Sequence, residues 1–110
     1  MSIDQTDTVD FVTIEKDSGN VLLTISDHLD WEAAEGAHLL LLQSKLNAYL
    51  RFIESGELQQ KFPESAGRDV VINLIGKFPL SDKAAAFLKK AEAAVANAGF
   101  KLQFTLQMPS

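Results

Sequence analysis

No cysteine occurs in this chain. That absence removes disulfide scaffolds, thiolate nucleophiles and cysteine-built zinc sites, and it fits a reducing compartment. Long apolar runs are missing too. The leucine run Leu39 to Leu42 gives way at once to Gln43, Ser44 and Lys45, far short of the roughly 18 residues of a membrane span. The opening MSIDQTDTVD is polar and acidic, unlike a signal peptide, which starts basic and continues apolar. A cytoplasmic protein is the expectation.

There is no basic stripe. Net charge is −5, the isoelectric point is about 4.8, and Lys89-Lys90 is the only adjacent basic pair. Nucleic-acid binders draw most of their affinity from phosphate neutralisation, so neither nucleic acid nor an anionic membrane is an expected partner. A basic protein partner is compatible with this charge. Sequence motifs for chemistry are also lacking: no HExxH, no G-x-S-x-G elbow and no phosphate-binding G-x-x-x-x-G-K-[ST]. No cofactor is implied.

What is present suits one folded domain. The 110 residues are 46% hydrophobic and 23% charged, enough for a single core and wrong for disorder. Residues 1–8 read as a loose tail and 9–108 as the domain. Val9–Glu15 and Val21–Ser26 read as strands joined by the turn-forming KDSGN, a β-hairpin. A long helix is predicted over His38–Ser55, with a start as early as Trp31 possible. Leu39, Leu42, Leu46, Tyr49, Leu50 and Ile53 share one stripe of it, and Gly56 is placed for a left-handed cap.

Residues 57–68, punctuated by Pro63 and Gly67, read as a loop. Val70, Val71, Ile72, Leu74 and Ile75 form a nearly continuous apolar run, as in a central strand. Pro79 ends that strand, Ser81 is a good N-cap, and a second helix is predicted over Asp82–Ala98. Phe100–Leu106 alternates apolar and polar as a last strand. The ββαβαβ order predicts an α+β fold. Right-handed crossovers make it a two-layer α/β sandwich, a four-stranded mixed sheet with two helices packed on one face. Strand order stays open.

Chemistry concentrates in residues 26–38, SDHLDWEAAEGAH, which hold both histidines, the single tryptophan and four carboxylates, Asp27, Asp30, Glu32 and Glu35. Glu35 and His38 would share a helix face, and Asp27, His28 or Asp30 could complete a metal site. E-x-x-H is a common spacing, however, and Gly36 weakens the helix between the two ligands. The simpler reading is a helix entrance. Asp27 or Asp30 would cap the helix, Glu32 and Glu35 would favour its positive end, and Leu29 and Trp31 would anchor it. His38 would be a partly buried side chain with one hydrogen-bond partner.

The long helix also carries more apolar surface than one stripe requires. Leu41, Ala48 and Phe52 form a second ridge, with Leu40 isolated near the polar side. Leu58 and Phe62 could cover that ridge, or it could be an interface with another protein or a second copy, as could the open sheet face. In the third strand, Asn73 is a polar group that would need a partner if buried, and Gly76 is a second interruption of the apolar run.

The run TISDHLDW, followed by HLLLLQSKLNAYLRFIESGEL, resembles a family of small uncharacterised bacterial proteins. Its members share a TISDHLDW-like entrance, an LQ-x-KLN-x-Y-x-x-FIESGE-like helix and a GF-x-L-x-F-like final strand. The similarity spans about Val9 to Leu106. It implies a bacterial origin and a shared single-domain fold, and it brings no activity.

The sequence therefore leads to two expectations. One is a non-catalytic protein-interaction module, a homodimer or a complex with another protein, using Leu41, Ala48 and Phe52 or the sheet. The alternative is a small-ligand or metal-binding protein, possibly an enzyme, centred on Asp27, His28, Asp30, Glu35 and His38.

Overall fold

The computed structural model of the chain describes residues 11–32 and 34–107. The proposed tail and the first residues of the expected first strand lie outside them. Strand β1 (Phe11–Ile14) pairs antiparallel with β2 (Val21–Asp27). Gly19 closes the turn between them at φ +73°, donating its N–H to the Glu15 carbonyl. Strands β3 (Val70–Gly76) and β4 (Lys101–Leu106) follow, each parallel to the preceding strand, so the sheet runs β1-β2-β3-β4. This is the expected mixed sheet, with its order now set.

Helix α1 (Glu35–Glu54) links β2 to β3, and helix α3 (Asp82–Asn97) links β3 to β4. Both crossovers advance the sheet in the same direction, so right-handedness puts both helices on one face. Val21, Leu23 and Ile25 of β2, with Val70, Ile72 and Leu74 of β3, alternate toward that face and are buried. They meet Leu42, Leu46 and Tyr49 of α1 and Ala84, Leu88 and Val95 of α3 in one core. Each fully buried aliphatic side chain there contributes about 1.5–3 kcal/mol relative to exposure.

The expected loop over 57–68 is not all loop. It holds a short helix, α2 (Glu57–Lys61), and a 3-10 turn over Pro63–Ser65. Five residues are too few to show a helical period; burial of Leu58 is what holds this segment down. Gly56 takes φ +88° just after α1 and turns the chain from one helix into the next. Among the described residues, no helix is long and apolar enough to cross a membrane.

Candidate functional site

Asp27 is the last residue of β2, and its backbone carbonyl accepts from the Lys77 N–H just beyond β3. Position 27 continues the 21-23-25 alternation, so its carboxylate points into the helix side of the sheet and is buried. There Asp27 Oδ2 lies 2.6 Å from His38 Nε2, in the first turns of α1. The other carboxylate oxygen, Oδ1, accepts from the Leu29 N–H at 3.1 Å. On its far side, His38 Nδ1 lies 3.2 Å from the Asp30 carbonyl, to which it donates. Trp31 stacks on the imidazole, with centroids 3.5 Å apart and ring planes 14° from parallel.

Both ring nitrogens of His38 thus face oxygen. A carbonyl can only accept, so Nδ1 donates to it, and Nε2 is held by the Asp27 carboxyl group at 2.6 Å. The Asp27–His38 unit is closed: it is buried, its ring nitrogens are engaged and one ring face is under an indole. Such a pair ties the end of β2 to the start of α1. It has no exposed ring nitrogen with which to bind a metal or relay a proton to a substrate.

The expected cap is corrected by this geometry. The N-cap of α1 is Ala34, with no side-chain hydrogen bond. Asp27 and Asp30 instead each accept a backbone N–H two residues on, Leu29 and Glu32, stabilising the turns that lead to the helix. His38 is fully buried with two partners, where partial burial with one was expected.

The other candidates scatter. His28 is exposed, and Glu35 is half-buried with Lys83 Nζ 3.9 Å from its Oε1. Among the described residues, no three His, Cys, Asp or Glu side chains gather to hold a metal ion.

Of the helix ridge, Phe52 is 8% and Ala48 9% exposed, while Leu41 is half-buried against the core. Lys61 reaches over the Phe52 ring at 5.8 Å. The surplus is taken up largely within the chain, and Leu40, 66% exposed, stands alone.

One buried group has no counterpart in the sequence reading. Lys45 is 0% exposed, its ammonium 5.4 Å from the centre of the Tyr49 ring. The Tyr49 hydroxyl donates to the Thr24 carbonyl at 3.0 Å. Position 45 lies three after Leu42 and four before Tyr49, on the buried stripe; that spacing was the available signal. A long aliphatic stem lets a lysine occupy such a place.

Two surfaces remain. A cleft of about 730 Å³ opens where the strands end, between the starts of α1 and α3, walled by Trp31, Phe78 and Leu80 and rimmed by Glu32 and Glu35. The second is the sheet face away from the helices. There half-buried Leu22 and Ile75 flank buried Val71 among Thr24, Ser26, Asn73, Gln103 and Thr105 by strand alternation and register. Asn73 is half-buried, and its Oδ1 accepts from Thr105 Oγ1 at 3.2 Å and Gln103 Nε2 at 3.4 Å, which provides the partner expected for it.

No curated protein and no solved structure matches the chain. A family model does match, over residues 1–108, and the chain accordingly belongs to the family of unknown function DUF6572.

Proposed function

We propose that this protein is a non-catalytic protein-interaction module that associates, with itself or with another protein, through the part of its sheet the helices leave uncovered. The observation that carries the reading is the one-sided layering. Half-exposed Leu22 and Ile75 sit in the central strands with α1 and α3 on the opposite face. The closed Asp27–His38 pair supports it by leaving that histidine nothing to do but hold the fold. The acidic charge, the absent cysteine and the motifs shared with small bacterial proteins support a bacterial cytoplasmic setting without nucleic-acid partners.

The test compares two variants of the full chain, Ile75→Lys on the open sheet face and Leu40→Lys on the exposed side of α1. Partner recovery by quantitative mass spectrometry should fall with Ile75→Lys and persist with Leu40→Lys. Equal recovery with both variants removes the open sheet face from the reading, and no association in the wild type removes the reading itself. A second reading, small-ligand binding, is favoured by the cleft beside Trp31 and Phe78. Chemical-shift changes confined to those residues on screening a fragment library would establish it.

A further inference from the structure

Strand β4 is the sheet's outer edge on one side: it pairs with β3 and with no other described strand. It has six residues, in unbroken register with β3 from Lys101 to Leu106. Natural edges are guarded by shortness, proline, bulges or charge. Strand β4 has no proline and no bulge, and its single charged residue is Lys101 at its start.

Backbone parity shows which groups face outward. Gln107 donates its N–H to the Gly76 carbonyl of β3 at 2.7 Å. In a parallel strand, one residue's N–H and C=O point to the same side, and successive residues alternate. The backbone groups of Lys101, Gln103 and Thr105 therefore face β3, and those of Leu102, Phe104 and Leu106 face away from it.

We propose that the outer edge of β4 pairs with β4 of a second copy of this chain, antiparallel and centred on Phe104. The proposal rests on the association reading above and names its partner. In this register Phe104 faces Phe104, and Leu102 faces Leu106. Every outward N–H and C=O of the strand then finds a partner, which no register shifted by one residue achieves. A two-fold axis normal to the sheet keeps both helical layers on one side and makes the contact self-complementary. Leu102, Phe104 and Leu106 meet their copies on the helix side. On the open side Gln103 faces Thr105, and Lys101 faces Gln107, so no like charges are opposed. The product is an eight-stranded sheet with one continuous open face.

Sedimentation velocity on the full chain across a concentration series tests this, with folding checked by circular dichroism. The wild type should move to dimer mass. Leu106→Pro removes an outward N–H while leaving the β3–β4 ladder intact, and should lose the dimer. Gln103→Lys with Thr105→Lys opposes two lysines across the axis and should lose it as well, whereas Gln103→Lys with Thr105→Glu opposes unlike charges and should keep it. The two double variants disturb Asn73 alike, so their difference reads the cross-strand contact. A dimer that survives Leu106→Pro and the lysine pair overturns the edge assignment but leaves self-association. A monomeric wild type that still recovers an Ile75-dependent partner overturns this proposal and leaves the interaction reading. A monomer with no partner overturns both.

Discussion

The two places where a parallel strand hands over to a helix solve one problem with different chemistry. Between Gly76 and Asp82 the solution is local. Ser81 Oγ accepts from the Ala84 N–H at 3.1 Å and caps α3. Between Asp27 and Glu35 the helix starts at an alanine that caps nothing. Order there comes from a buried pair eleven residues apart, Asp27 and His38, clamped under Trp31. A local cap satisfies one backbone donor in water. A buried hydrogen-bonded pair fixes two elements against each other, and it is costly to break because each partner alone is stranded away from solvent.

The sharpest way to break this comparison is to remove one partner of the pair. His38→Ala should cost about 3–5 kcal/mol of folding stability by urea titration, since it leaves a buried carboxylate without its partner. A loss near that of a simple cap would mean that apolar anchoring by Trp31 holds the entrance. At the end of β3 the constraint is space. A Cβ on Gly76 would lie 2.7 Å from Phe104 Cε1, so Gly76→Ala should cost about 1–3 kcal/mol through overpacking. An unchanged urea midpoint would show that the Phe104 ring moves aside freely.

Ser81→Ala should cost about 1 kcal/mol, the usual value of a lost N-cap; a loss equal to that of His38→Ala would erase the contrast between the entrances. The smallest effect is expected from divalent cations. With His38 engaged and no ligand cluster among the described residues, a metal panel should leave the melting temperature unchanged. A saturable rise with one metal would restore the metal reading, because a ligand that binds only the folded state stabilises it by mass action.

The same contrast separates what could be read from the chain and what could not. The Ser81 cap, the Gly56 reversal after α1 and the alternation of β4 are local relations among neighbours, and each stands in the structure where the pattern put it. Helix α2 has too few residues to declare a period, so 57–68 looked like a loop. Lys45 reads as a polar interruption by its charge, although its spacing from Leu42 and Tyr49 puts it on the buried helical stripe. The chemical cluster at 26–38 was visible as composition. Which of its members meet was not, because Asp27 and His38 touch only after β2 and α1 have packed.

From the sequence alone follow the order of the four strands and two long helices, the one-sided amphipathic helices, the mixed sheet and the absence of catalytic motifs, because periodicity and capping act over a few residues. The tertiary structure alone decided the strand order β1-β2-β3-β4, the closure of Asp27 on His38, the covering of Phe52 and the pairing of Asn73 with Gln103 and Thr105. Each of those joins residues distant in the chain. Their energies come from burial and from satisfying polar groups removed from water, and those terms exist only once the layers have met.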